Sequence, residues 1–419
     1  MKKFMHWLEI SAAPRMNKIN NYIWIQTLKD SMMQILPMIF VGSLITIISI
    51  LQDYIPWMPD LSGLSSFSIG IVGMLVAFLI PFNFMEHKNL HQLRLVASMT
   101  GLGMYLMIAH LENPDLFIFD TLGAGGMFVA IVVGIYVGLI FNLFGKFSFF
   151  KEDSSMPDFV RAWFDNMIPV LICLVTVWIF VGLLGVDVYS LINAALSPLV
   201  NFSQSIFGFT LIYFLLCFLY TMGISTWLLY SFTYPIMLSA IMANSAAVAA
   251  GGHATNIFTS EVMFSGWLAF GGTGGTLLLC ILFLFASSRR LKAIGRAAIF
   301  PSMLNINEPI VFGAVAWNPI LMIPMWIHGL VTPIITYLWL SVGWAAIPHD
   351  LFGFWYCPFP FSTWLVSRSV GGLILLVIVL AVTLLIYYPF FKVYDKQQAK
   401  EEAEKAAAKA AKQAAVVAG

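Results

Sequence analysis

The run LGAGGMFVAIVVGIYVGLIFNLF, residues 122–144, is 23 residues long and carries no charged side chain. A helix needs about 20 mostly apolar residues to cross roughly 30 Å of hydrocarbon, so this stretch reads as a membrane span. Working outward, comparable runs cover residues 31–51, 69–85, 95–111 and 163–184, and then 205–224, 227–244, 266–287, 319–342 and 371–391. Composition agrees, because 60% of the 419 residues are hydrophobic, 10% are charged and the mean hydropathy is +0.89, well outside the soluble range. The fold class expected is all-α: a polytopic membrane protein with about ten transmembrane helices.

The breaks between the runs alternate in charge. QDYIPWMPD (52–60) and ENPDLFIFD (112–120) are acidic, whereas the N-terminus, EHKNLHQLR (86–94), GKFSFFKEDSSMPDFVR (145–161) and SSRRLKAIGR (287–296) hold the Lys and Arg residues. By the positive-inside rule the basic breaks, and with them both termini, are expected in the cytoplasm. No cleavable signal pattern follows Lys2, Lys3, Arg15 and Lys18, so the first apolar run is expected to stay as an anchor. A net charge of +1 excludes the broad basic field of a nucleic-acid partner. Cys173, Cys217, Cys280 and Cys357 stand singly, without the Cys-x-x-Cys spacing of a metal or redox site, and neither metal nor cofactor is expected.

Three apolar segments, 186–203, 297–316 and 347–369, are too broken by Gly and Pro to cross cleanly. Irregular backbone at membrane depth survives only where protein buries it or it lines a wet cavity, so these segments mark the pathway. The most informative is SMLNINEPIVFG, residues 302–313. An ionisable group there is costly, which makes Glu308 a candidate functional residue, with pairing to Arg289, Arg290 or Arg296 as the structural alternative. Asn305 and Asn307 add amide donors and acceptors, and Pro309 is expected to stop the helix and free upstream carbonyls. Sugar hydroxyls suit that arrangement. A second polar stretch, GGHATNIFTSE (251–261), contributes Asn256 and Thr259 as candidates. His253, in a glycine-rich loop, is expected to be solvated. FGGTGGTL (270–277) reads as close helix packing, because no Lys follows at P-loop spacing. Trp355 and Tyr220 are the aromatics chosen to stack on a pyranose face. The tail KQQAKEEAEKAAAKAAKQAAVVAG (396–419) reads as a solvated helix or a disordered segment.

Through NNYIWIQTLKDSMMQILPMIFVGSL, MPDFVRAWFDNMIP, NIFT, GGTGGTL, SRRLKAIGR, LNINEPIVFG and NPILMIP, in that order, the chain closely resembles enzyme IIC, the membrane sugar permease of the phosphotransferase system, in its lactose, cellobiose and diacetylchitobiose branch. The resemblance implies two re-entrant hairpins and a homodimer. It also implies an N-terminal scaffold and dimerisation domain (1–185), an elevator-like sugar-binding domain (186–394) and a cytoplasmic tail (395–419). Glu308 matches the Glu that holds the sugar beside the hydroxyl to be phosphorylated, with the phosphoryl group coming from a phosphocysteine on a separate enzyme IIB. One departure stands out: the family's Gly-Ile-His reads Gly-Ile-Ser here, so Ser225 takes the His position and Tyr220 that of a Trp. The Trp-Thr-Thr-Pro-Pro motif reads WYCPF and keeps Trp355 and Pro358.

Three functions are compatible with the sequence. The first is a phosphotransferase permease for a disaccharide or β-glucoside in the bacterial plasma membrane. The second, encouraged by Ser225, is a facilitator that works without phosphorylation. The third is a sugar-binding membrane sensor.

Overall fold

The computed structural model describes residues 6–7, 10–11, 13–50, 59–110, 119–145, 148 and 157–418, and every regular element in them is helical. The acidic breaks at 52–60 and 112–120 and the basic break at 145–161 lie largely outside these residues, as do Lys2 and Lys3. The main helices are α1 (Ile23–Ile50), α2 (Val72–His87), α3 (Arg94–His110), α4 (Met127–Phe144), α5 (Asp158–Val177), α6 (Val188–Gln204) and α7 (Ile206–Thr221). They continue as α8 (Trp227–Ala249), α9 (Leu277–Leu284), α10 (Arg289–Met303), α11 (Pro319–Ser341), α12 (Phe361–Ser367) and α13 (Val370–Ala418).

Seven helical stretches among the described residues are long and apolar enough to cross a membrane. An eighth is counted if α6 and α7, bent by 80° at Ser205, form one broken span. The expectation of about ten spans exceeds this because α3 has 17 residues and α9 only 8. The run at 266–287 is helical only at α9, since its first part is pulled into a glycine loop. Conversely, the segment expected to be broken at 186–203 folds as a continuous helix from Val188 onward despite Pro198.

The chain packs as two compact units. One contains Lys18–Asn201 and Tyr230–Ala243, the other Phe202–Leu229 and the chain from Asn244 onward. The boundary expected between 185 and 186 thus falls inside the first unit's stretch, and α8 contributes residues to both units.

In the first unit α2 is central, packed on α1, α3 and α4. Lipid tails are as apolar as leucine, so burying hydrocarbon gives little drive between spans, and close fit and hydrogen bonds must hold them. Both occur. On α4, Gly134 and Gly138 face α2, where a Cβ would stand 2.7 Å from Ile80 and 2.9 Å from Phe84. Asn83, 4% exposed, donates to Ser31 Oγ at 2.9 Å and to Gln34 Oε1 at 3.0 Å.

In the second unit α11 packs on α7 and α13. The tail does not leave the fold at residue 395, because α13 runs on as one helix of 49 residues. Its Asp395 carboxylate accepts the backbone N–H groups of Ser287 and Ser288, each at 2.9 Å, and Glu402 accepts those of Arg289 and Arg290, each at 2.9 Å, plus the Ser288 hydroxyl at 2.6 Å. The first turn of a helix leaves its N–H groups unpaired and carries partial positive charge, so two carboxylates from α13 complete the start of α10. Through Asp395, Gln398 and Glu402 the tail's first two turns are therefore docked.

Candidate functional site

The site lies within the second unit and begins where α10 ends. Helix α10 stops at Met303, and Asn305 takes a left-handed conformation, φ +61°, which turns the chain back. The Asn305 amide then joins three segments. Its Nδ2 donates to the carbonyls of Trp355 at 2.6 Å and Cys357 at 3.0 Å, while Oδ1 accepts from Gly271 N–H at 2.9 Å. Asn307, 3% exposed, donates to Thr273 O at 2.9 Å and Thr276 Oγ1 at 3.0 Å. The Asn305 amide and the Asn307 Nδ2 are thus engaged by the protein's own groups.

Glu308 has a different setting. It opens a short turn, Glu308–Ile310, that runs into a wider helical turn, Val311–Val315. The turn continues through Pro309, since Asn307 O accepts Val311 N–H at 2.9 Å, and Pro309 sits in a first turn where its missing N–H costs nothing. The Glu308 carboxylate is exposed and lies close to the Tyr220 hydroxyl. Among the described residues it forms no ion pair. Arg290, one arginine of the structural alternative, reaches instead to Gln398 at 3.1 Å and Gly313 O at 3.5 Å.

Around that carboxylate the end of α7 supplies Tyr220, whose ring meets Phe312 edge-on at 5.7 Å. Trp317, φ +59°, donates its N–H to Thr221 O at 3.1 Å, next to Tyr220. Trp317 is 40% exposed, as is Trp355. Ser225 lies in the turn after α7, partly exposed, and accepts Trp227 N–H at a long 3.4 Å. Trp317 and Phe312 were not among the residues picked out from the sequence. The available signal was their position between Glu308 and NPILMIP, in a segment already read as irregular.

Asn256 and Thr259 belong to a second polar knot. Asn256 donates through its backbone N–H and Nδ2 to Asn244 Oδ1, at 2.9 and 3.0 Å. Asn244 Nδ2 in turn donates to Asn256 O at 2.8 Å and Pro348 O at 2.9 Å. Thr259 is fully buried and accepts Val262 N–H at 3.3 Å. Glu261, also fully buried, accepts Phe352 N–H at 3.0 Å. His253 is exposed, as expected of a loop histidine.

The stretch 270–277 is the largest departure from expectation. It is a loop rather than a helix-packing face, with Gly271, Gly272, Gly274 and Gly275 all at positive φ. A side chain at Gly272 would put its Cβ 2.3 Å from Asn307 Cγ, and one at Gly275 would stand 2.5 Å from His328 Cε1. The glycines are required because the NINEP asparagines and His328 press directly on this backbone.

Comparison with known proteins identifies the fold and the family. Residues 29–329 match the family model "Phosphotransferase system, EIIC". The lichenan permease IIC component of Bacillus subtilis is 29% identical, with 94% of each chain covered. The lactose-specific EIICB component of Staphylococcus haemolyticus is 26% identical over 94% of this chain and 71% of its own length. The crystal structure of the transporter ChbC, the IIC component of the N,N'-diacetylchitobiose-specific phosphotransferase system, aligns with a TM-score of 0.84 at 26% identity, over 94% of this chain and 99% of that one. The chain therefore belongs to the phosphotransferase-system EIIC family, the multi-pass sugar permeases of the bacterial plasma membrane.

Proposed function

We propose that the protein imports a disaccharide or β-glucoside, holds it at Glu308 and presents it to a IIB partner for phosphorylation. The observation that carries this reading is the exposed Glu308 carboxylate, which forms no ion pair among the described residues and lies close to the Tyr220 hydroxyl, with the half-exposed Trp317 bonded to Thr221 at the end of the same helix. A carboxylate accepts a sugar hydroxyl's hydrogen bond, the nearby Tyr220 hydroxyl can meet a second one, and indole faces suit the C–H groups of a pyranose. In the transfer step the sugar hydroxyl oxygen bonds to phosphorus as the S–P bond of the partner's phosphocysteine breaks. The proton passes to Glu308, because the Ser225 hydroxyl that replaces the family's His cannot take a proton near neutral pH.

In this reading Asn305 and Asn307 do not bind the sugar. They fix the backbone from which Glu308 projects, and Trp355, whose carbonyl receives Asn305, stands at the rim. Asn256 and Thr259 hold the other re-entrant segment in shape. The unit containing Phe202–Leu229 and the chain from Asn244 onward is the carrier, moving as a rigid body, and the unit containing Lys18–Asn201 anchors a homodimer in the lipid. Ser225 favours one second reading, a facilitator that releases unmodified sugar. Uptake of labelled cellobiose by cells with and without the general phosphoryl-transfer proteins tests the choice. Uptake that depends strictly on those proteins supports the permease, and independent uptake supports the facilitator.

A further inference from the structure

Three buried rings on the far side of the glycine loop have no part in the site as described. His328, on α11, is fully buried, with Nδ1 3.1 Å from Thr383 Oγ1 and Nε2 3.1 Å from Leu268 O. A carbonyl only accepts, so Nε2 carries the hydrogen. Tyr213, on α7, donates to the same Leu268 carbonyl at 2.8 Å and accepts Gly274 N–H at 3.3 Å. Tyr387, on α13, donates to Gly274 O at 2.8 Å.

From these bonds we infer that His328, with Tyr213 and Tyr387, is a positioning residue for the sugar site, acting through the glycine loop on Asn305, Asn307 and so Glu308. The inference rests on the reading of Glu308 given above. The loop is held from both sides: the three rings fix Leu268 and Gly274, while Gly271 N–H and Thr273 O meet the two asparagine amides. Its glycines supply no side chains to wedge it in place, so these bonds set its position. Within a bilayer no water stands ready to replace a broken one. A loop released on the ring side carries its asparagine contacts with it, and Glu308, the next residue after Asn307, loses its fixed direction. His328 also fills the space that a Cβ at Gly275 would need, which places ring and loop in direct contact.

The test compares full-length wild type, His328→Leu, His328→Gln, Tyr387→Phe and Glu308→Gln in lipid nanodiscs by hydrogen exchange and by titration. The titrants are cellobiose, lactose and N,N'-diacetylchitobiose, with the tightest binder used for the variants. His328→Leu is expected to speed exchange about tenfold in peptides covering 268–277 and 304–309, to leave 72–87 and 127–144 unchanged, and to weaken binding about tenfold, the range of one lost hydrogen bond. Gln places an amide N–H near the position of Nε2, so His328→Gln is expected to restore both readings to within about threefold. Tyr387→Phe should act in the same direction as His328→Leu. Exchange that opens 268–277 but leaves 304–309 protected, exchange that rises evenly over the unit, or failure of Gln to rescue would overturn the inference. Glu308→Gln separates the two proposals: if it leaves affinity unchanged while His328→Leu still opens 304–309, the sugar-site reading fails and the coupling stands. If it abolishes binding while 304–309 is indifferent to His328, the coupling fails and the site stands.

Discussion

The contact between α13 and the start of α10 makes a quantitative prediction. Asp395 is 5% exposed, and its carboxylate receives two backbone N–H groups, Ser287 and Ser288, each at 2.9 Å. In Asp395→Ala both donors lose their acceptor at a helix start, where a single capping bond is worth about 1 kcal/mol and a bond to a charged group about 1.5–3 kcal/mol. Glu402 still holds the next two N–H groups and the Ser288 hydroxyl, so the helix does not unravel. The net cost is placed at about 2 kcal/mol, roughly a 30-fold rise in the local opening equilibrium. Asp395→Asn keeps one acceptor oxygen and is expected to lose about half as much. Hydrogen exchange of the amides at 287–291 in nanodiscs reads this directly. A change under about threefold in Asp395→Ala would refute the claim that the α13 carboxylates secure α10, and with it the view that the tail's first turns are part of the fold.

Three further predictions follow from single contacts. Gly272→Ala places a Cβ 2.3 Å from Asn307 Cγ at φ +96°, so it is expected to destabilise the second unit by about 2 kcal/mol or more and to abolish sugar binding, read by thermal melting and titration. Tyr220→Phe removes the hydroxyl close to Glu308 that is offered to the sugar, and a roughly fivefold loss of affinity with an unchanged melting temperature is expected from about 1 kcal/mol; an unchanged Kd would contradict it. Asp187 accepts Ser190 N–H at 2.9 Å at the start of α6, and bonds from Ser190's side chain and backbone hold its carboxyl below the ordinary aspartate range. A lowered folded value means the cap contributes fully above the ordinary pKa of about 4 and is lost as pH falls through the folded value. The difference in α6 exchange between wild type and Asp187→Asn should therefore be present at neutral pH and vanish in acid.

What the sequence disclosed followed the range of the interactions involved. Residues 319–342 and 227–244 announced α11 and α8 because a long apolar run has one comfortable conformation in lipid. Glu308 was visible as a charge in the wrong solvent, and its separation from the arginines was not, since pairing depends on where α10 points. Asn305 and Asn307 were found as polar residues at depth, but their partners at Trp355, Cys357 and Thr273 lie 34 to 52 positions away. For the same reason GGTGGTL passed for a helix-packing motif: nothing local reveals that Asn307 and His328 press on its backbone. The docking of Asp395 and Glu402, more than 100 residues from their partners, left no mark in a tail whose composition matches any solvated helix.

The central claim is that Glu308, which forms no ion pair among the described residues, is kept for a sugar that completes its bonding. Its most direct test is titration of Glu308→Gln in nanodiscs with cellobiose, lactose and N,N'-diacetylchitobiose, beside a wild type that binds at least one of them. Gln keeps the size and one acceptor oxygen and removes the charge, and the account predicts binding weakened at least about 100-fold with unit stability unaltered. Wild-type affinity in the variant would contradict it and leave the carboxylate with a structural role alone.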